Sequence, residues 1–207
     1  MKSRTATVKQ ARAYNQGIRA QAAEETGRRI VEAFIERLKT GWFDEITLDE
    51  VAGDAGVTVQ TVVRRFGGKE GLLEQAVEVF GKQVLATRAA PVGHVEKIVN
   101  HLLADYEQTG DLVLRLLASE QRHQSLERFL NIGRAGHRGW VRLAFGDVLE
   151  KLPPAKQEAL IDRLVIVTDV YTWKLLRRDM KRSLAQAAPV FEALIKSVIS
   201  GTDHPAV

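Results

Sequence analysis

Residues 47–69, TLDEVAGDAGVTVQTVVRRFGGK, limit what this chain can fold into more than any other stretch. Thr47 and Glu50 stand at the T-x-x-E spacing of a capping box, in which side chain and backbone satisfy each other at a helix start. Val51, Ala52 and Ala55 follow at the spacing of an apolar helix face. Gly56 supplies the permissive backbone that ends a helix sharply. Thr58 stands where a second helix needs its N-cap, and Val62 and Phe66, four residues apart, face inward from that helix. Two short helices about a tight turn make a helix-turn-helix, whose second helix enters the DNA major groove.

Helical geometry sorts the second helix by direction. At about 100° per residue, with Val62 and Phe66 inward, Gln60 and Arg64 point most directly outward. Thr61 and Val63 flank them, with Arg65 beyond Thr61. Gln suits adenine and Arg suits guanine, each through two hydrogen bonds to one base edge. Val59, at the helix start, can touch a thymine methyl. Thr47, Thr58, Thr61, Arg65 and Lys69 are placed for the phosphate backbone, which positions a protein without reading sequence. Gly67 and Gly68 end the helix, and Lys69 opens the next one at an N-terminus that itself attracts phosphate.

The flanks complete a three-helix head. Upstream, Ile30, Val31, Phe34, Ile35 and Leu38 form a helical stripe that ends at Gly41, with Trp42 and Phe43 just beyond. Downstream, Leu72, Leu73, Ala76, Val77 and Phe80 form another. Residues 30–80 resemble the DNA-binding domain of the TetR family of transcriptional repressors. The matching marks are G-W-F at 41–43, T-L-D-E-V-A at 47–52, A-G-V at 55–57, T-x-x-T at 58–61, R-x-F at 64–66 and K-E-x-L-L at 69–73. The family usually has Tyr where this chain has Val63 and often His where it has Arg65. The change at Val63 removes a usual phosphate contact, and Arg65 is the candidate replacement.

Composition fits an all-α, two-part chain. Its 207 residues, 45% of them hydrophobic, suffice for a sizeable core. No apolar run approaches the ~18 residues needed to span a membrane, and the N-terminus lacks the apolar core of a secretory signal. The absence of cysteine excludes a disulfide framework and a thiolate metal site. A cytoplasmic location is the simplest expectation. The pI of 9.4 says little about the head, because residues 1–80 carry twelve Lys/Arg and twelve Asp/Glu. The bias is confined to residues 1–23, which hold Lys2, Arg4, Lys9, Arg12 and Arg19 before the first acid, Glu24. This basic extension fits an arm along phosphates or in a minor groove. It fits a frayed, solvated tail slightly better, Val8, Ala11 and Ile18 giving only a faint helical pattern.

Residues 24–80 are thus expected to form the DNA-binding domain and 81–207 a helical effector-binding and dimerisation domain. A connecting helix from Leu72 to about Arg88 is broken by Ala90-Pro91-Val92-Gly93. Helices are predicted at 94–108, 111–121, 125–151, 154–181 and 184–200, with Asp111 and Ser125 as caps and Pro153-Pro154 between two of them. No strand is predicted. Residues 160–176 are apolar around most of the helix, and 184–200 has a wide apolar face, so each is buried on more than one side. Pairing of these last two helices across a two-fold axis, as the TetR resemblance implies, covers the excess and matches two operator half-sites.

The resemblance also implies an effector pocket among the middle helices, with ligand binding changing the spacing of the two heads and releasing DNA. Polar and aromatic candidates are His94, His101, Tyr106, His137, Trp140, Tyr171 and Trp173. Trp140 comes first, because Gly133, Gly136 and Ala144 on its face leave space beside it. Arg134, Arg138 and Arg142 form a ladder nearly opposite Trp140 and belong to a solvated face. Glu120-x-x-His123 is half of a di-iron motif without its second copy. The His101/Asp105 and His123/Glu127 pairs do not make a zinc site. No nucleophile elbow, phosphate loop or dinucleotide fingerprint is present. No enzyme, metal or cofactor is therefore expected. The expected protein is a homodimeric, ligand-responsive repressor with a palindromic operator and a small-molecule effector. Its alternatives are a helical carrier or enzyme with a relic head, and a non-specific architectural binder, which the near-neutral head fits poorly.

Overall fold

The computed structural model describes residues 3–201, with side chains from Gly17 onward. All regular structure among the described residues is helical. Close contacts divide the chain into two compact units, Met1–Ala76 and Val77–Val207. The division falls inside a helix, a few residues before the boundary near 80 expected within the connecting helix.

In the first unit, α1 (Ser3–Thr40), α2 (Leu48–Ala55) and α3 (Val59–Phe66) are followed by the start of α4 (Lys69–Thr87). The helix through residues 3–23 is continuous with the stripe at 30–38, so the frayed-tail expectation does not hold for this backbone. Lys2 and the side chains of Arg4, Lys9 and Arg12 lie outside the described residues. Ile30, Phe34 and Leu38 repeat every four residues along α1 and are buried, as are Phe43, Ile46, Val51, Val62, Leu72 and Leu73. Phe34 and Phe43 meet edge to face at 6.5 Å. The predicted capping box is present: Thr47 N donates to Glu50 Oε2 at 2.9 Å and Glu50 N to Thr47 Oγ1 at 3.3 Å. Gly56 ends α2 at φ 65°, a backbone that favours glycine. Arg37 bridges α1 to α2, its guanidinium 2.9 Å from Glu50 and 2.6 Å from Asp54.

The second unit contains α5 (Val95–Ser119), a 3-10 turn (Glu120–Arg122), α6 (Gln124–Ala144), α7 (Gly146–Leu149), α8 (Pro154–Val167), α9 (Val170–Lys174), a π turn (Leu175–Asp179) and α10 (Leu184–Ser200). Three boundaries differ from the sequence expectation, each for a local reason. The break expected between 108 and 111 does not occur. Gly110 stays helical and brings α5 against Trp173, where an added Cβ would lie 2.5 Å from the indole ring. The helix expected over 125–151 starts at Gln124 and ends at Ala144, because the fully buried Phe145 leaves helical geometry and anchors the turn into α7. The helix expected over 154–181 breaks at Thr168. There the Tyr106 hydroxyl donates to the Thr168 carbonyl at 2.8 Å, and Asp169 caps α9 by accepting from Tyr171 N. Side-chain bonds to backbone have replaced helix bonds.

Along α10, Ala187, Phe191 and Ile195 are buried at successive turns, whereas Val190 and Leu194 are exposed. Ser183 and Gln186 form a second capping box at its start. Ile166 of α8 is 67% exposed. The second unit's interior therefore absorbs only part of the apolar surface of the last helices. No described helix is long and apolar enough to cross a membrane.

Candidate DNA interface and ligand cavity

The outer face of α3 follows from its inner one. Val62 is fully buried and fixes the helix rotation, leaving Gln60, Val63 and Arg64 exposed, with Val59 and Thr61 half-buried beside them. Thr58 caps the helix: its hydroxyl accepts from Thr61 N at 3.3 Å and lies 3.0 Å from the Thr61 hydroxyl. One of these two hydroxyls donates to the other, so one proton remains to offer a phosphate. The Thr47 hydroxyl donates to Glu50 Oε2 at 2.9 Å and is already spent on its cap.

The two cations assigned to phosphates are partly committed within the unit. The Arg65 guanidinium lies across Gly27 of α1, where a Cβ would approach its Nε to 2.4 Å, and over the Phe66 ring at 5.8 Å. Lys69 lies over the Phe43 ring at 4.5 Å and donates to the Asp44 carbonyl at 3.3 Å. Burial lowers the Lys69 ammonium's pKa from its ordinary value, against the pull of Asp44 and Glu50. Arg64 has no ion-pair partner among the described residues. It is the freest cation on α3.

The second unit holds a cavity of about 440 Å³, within the ordinary range of small-molecule sites. Its wall is chiefly apolar: Val77, Phe80, Val84 and Leu85 from α4, Leu112, Val113 and Leu116 from α5, Phe129, Leu130 and Ile132 from α6, and Val170. Four sequence candidates, Tyr106, His137, Trp140 and Tyr171, line it. Gly133 and Gly136 line it too, and nothing lies within 4 Å of a Cβ placed on either. The space beside Trp140 is real.

Three candidates lie elsewhere. Trp173 is fully buried outside the cavity, 5.9 Å from the Tyr106 ring and beneath Arg178, with its indole N–H donating to Glu107 at 2.9 Å. His101 is half-buried on α5, away from the lining, and its Nδ1 is buried without a hydrogen-bond partner. His94 sits at the exposed start of α5. Among the described residues no group of three or more metal-ligating side chains gathers. Glu120 instead pairs with Arg134 at 2.6 Å, and Arg138 and Arg142 pair with Glu158 on the solvated face.

The polar centre of the cavity is Arg88, which sequence reasoning missed. It is 7% exposed and paired with Asp105, itself 1% exposed, at 2.6 Å. Burial raises the Asp105 carboxyl's pKa while Arg88 opposes the rise. The guanidinium lies 4.7 Å from the Tyr106 ring and 5.3 Å from the Trp140 ring, and Trp140 Nε1 donates to the Arg88 carbonyl at 3.2 Å. Arg88 Nη1 is 2.9 Å from His137 Nδ1, and His137 Nε2 is 3.1 Å from Thr168 Oγ1. Because arginine only donates, Nδ1 accepts and His137 carries its proton on Nε2. The available signal was the His101/Asp105 spacing, which marked Asp105 as a polar residue on an apolar helix but not its partner 17 residues earlier.

Burial, with the Arg88 charge second, pushes the His137 imidazole down to about 3. An unfolded histidine titrates near 6.5, so below that pH the unfolded chain binds a proton that the folded unit refuses. The His137 contribution is complete above pH ~6.5 and is lost as pH falls toward 3, at up to ~1.4 kcal/mol per pH unit. His137→Gln removes this titration. Between pH 6.5 and 5.5, urea denaturation should show the unsubstituted protein losing about 1 kcal/mol more than the variant. Equal losses would contradict the buried, neutral assignment.

The sequence of residues 40–76 matches the model of the bacterial regulatory proteins of the TetR family. No protein of curated function matches the chain by sequence. In structure the chain is similar to a transcriptional regulator from Rhodococcus sp. Rha1, with a TM-score of 0.65, 15% identity, and coverage of 86% of this chain and 98% of that one. It is similar to a protein from Mesorhizobium loti MAFF303099 assigned to the TetR-family transcriptional regulators, at TM-score 0.65, 17% identity and coverage of 86% and 97%. It is also similar to Salmonella enterica GusR, at TM-score 0.62, 18% identity and coverage of 84% and 95%. These identities speak for the fold; the sequence match speaks for the DNA-binding domain. Joined to the capped α2–α3 pair, the match identifies residues 40–76 as a DNA-binding segment of the kind found in TetR-family regulators, on a fold shared with solved transcriptional regulators.

Proposed function

We propose that the protein is a repressor that binds a palindromic operator as a homodimer and is released by a small molecule held in the cavity. The observation that carries this reading is the course of α4. It starts at Lys69, directly after the recognition helix, and its residues Val77, Phe80, Val84 and Leu85 line the cavity before the helix ends at Thr87. A ligand that prefers one position of α4 therefore acts on the helix that leads out of the DNA-binding unit. A ligand shifts an equilibrium only through such differential contacts.

The exposed apolar residues Ile166, Val190 and Leu194 on α8 and α10 support pairing of these helices between two copies. A two-fold dimer presents two α3 helices to half-sites one helical turn apart or a multiple of it. On each, Gln60 and Arg64 read base edges, and Val59 and Val63 stand beside them. Thr47, Thr58, Thr61, Arg65 and Lys69 hold the backbone. Arg65 must swing from Gly27 to do so, and Thr47 must leave its cap. The place of action is the cytoplasm, with the operator.

Arg64→Ala tests the assignment. It should cost about 1–3 kcal/mol at the preferred operator and flatten preference at one base pair, whereas Lys69→Ala should weaken all sequences alike. The measurement is equilibrium binding to a panel of single-base operator variants at fixed salt. Unchanged sequence preference in Arg64→Ala would remove Arg64 from the reading face.

A further inference from the structure

We infer that the cavity takes an electrically neutral, largely apolar molecule whose polar end is a hydrogen-bond acceptor, such as a ketone, ester or lactone carbonyl, seated on Arg88. The inference rests on the reading of this cavity as the effector site. Charge pairing in the wall carries it. Both cations that line the cavity already have an anion: Arg88 has Asp105 at 2.6 Å, and Arg134 has Glu120 at 2.6 Å. The remaining charged wall residue is Asp169, an acid, whose carboxylate accepts from Tyr171 N. No unpaired cation awaits an anionic ligand. A carboxylate brought to Arg88 would be a second anion on one buried guanidinium, and desolvating it without a free partner is costly.

Arg88 nevertheless offers donors. Of its five N–H groups, Nε and Nη2 face Asp105 and Nη1 faces His137. These contacts use three, the Tyr106 oxygen is a further acceptor beside Arg88, and one terminal N–H is left on a side chain that is part of the cavity wall. His137 cannot supply a compensating positive charge, because its Nδ1 already accepts from Arg88. Tyr106 is no free donor either, its hydroxyl being bonded to the Thr168 carbonyl. A neutral acceptor adds a hydrogen bond at Arg88 without upsetting the Asp105 pair, and the aromatic and aliphatic wall takes the rest of the molecule.

Two probes of equal size separate the alternatives: 4-butylacetophenone and 4-butylbenzoate, which differ by a methyl group in place of a carboxylate oxygen. Their binding to the purified full chain at pH 7.5 would be measured by calorimetry. The ketone should bind at least tenfold more tightly than the benzoate. Arg88→Lys, which keeps the charge beside Asp105 but has three N–H donors where arginine has five, should weaken the ketone at least fivefold. Gly136→Leu fills the space beside Trp140 from an exposed helical position with nothing within 4 Å. It should abolish ketone binding while leaving the thermal midpoint undiminished, since leucine is the better helix former. Equal or tighter binding of the benzoate, lost in Gly136→Leu, would overturn the ligand class but leave the cavity as the effector site. Binding that survives Gly136→Leu would overturn both readings, because the probe would lie elsewhere. Binding of neither probe at 1 mM would also overturn the inference.

Discussion

Asp105→Ala should destabilise the second unit by about 3–5 kcal/mol, the usual consequence of removing one partner of a buried ion pair. Asp105 is 1% exposed and Arg88 is 7% exposed, so little water reaches the side of Arg88 that the carboxylate leaves. The Arg88 guanidinium would remain against the Tyr106 and Trp140 rings, with His137 Nδ1 as its remaining hydrogen-bond acceptor among the named contacts. The cost is that of the orphaned charge rather than the worth of the pair. A double substitution, Arg88→Met with Asp105→Leu, should therefore recover most of the loss, because apolar side chains of similar size can replace a buried pair with little penalty. Urea denaturation of the purified protein, followed by circular dichroism, measures both. A loss below about 1 kcal/mol for Asp105→Ala would show that the pair is hydrated.

Gly71→Ala should cost about 3 kcal/mol, at the upper end of the usual range for overpacking, and should depress operator binding with it. Gly71 lies in the first turn of α4, where an added Cβ would fall 1.8 Å from the Phe66 carbonyl oxygen and 2.9 Å from its carbon. The obstacle is backbone, which cannot rotate away as a side chain can. Relief requires α4 to move from the end of α3, and Gly67 and Gly68, both at positive φ, set that spacing. The movement would dislodge Leu72 and Leu73, both buried in the first unit, and alter the pose of Arg64. Gly53→Ala is the control. It lies inside α2 with nothing within 4 Å of a Cβ, so alanine should stabilise by about 0.5–1 kcal/mol through helix propensity. Equal effects from the two substitutions would show that α3 and α4 tolerate a wider turn.

Gly71 also marks what the sequence makes legible. The first unit follows from local signals: Thr47 and Glu50 three apart, Gly56 at a turn, and Val62 and Phe66 on one face. Each acts within one or two helical turns, so its consequence can be read without knowing the rest of the fold. Gly71 carries no such signal, because its reason is the Phe66 carbonyl five residues earlier, brought close only by the particular geometry of the Gly67–Gly68 turn. Gly110 invited the opposite error. It lies between the helices expected at 94–108 and 111–121, yet it stays helical and is the small residue that admits Trp173 to the core. The break after Val167 was equally hidden, since the Tyr106 hydroxyl that takes the Thr168 carbonyl comes from 62 residues away.

The cavity of the second unit divides along the same line. Trp140 with Gly133 and Gly136 could be found from helical spacing, because all lie on one stretch of α6. Tyr106, His137 and Tyr171 were found by residue type, and the same criterion admitted His101 and Trp173, which line no part of the cavity. Arg88 was passed over as the end of a connector. Its burial depends on Asp105 and His137, respectively 17 and 49 residues away, and a charged residue gives no sign in sequence of a distant partner. The phosphate-contact assignments meet a similar limit, since only the fold shows Arg65 lying on Gly27 and Lys69 lying on Phe43.

The most direct test of a sequence-reading, two-fold repressor is selection of bound sequences from a random duplex pool with the purified full chain at near-physiological salt. Salt must be fixed because phosphate contacts make affinity strongly dependent on it. Enrichment of a palindrome whose half-sites lie one helical turn or a multiple apart is the predicted result. Enrichment of no sequence, from protein shown to be folded and dimeric, would contradict it and leave a ligand-binding protein whose α3 no longer reads DNA.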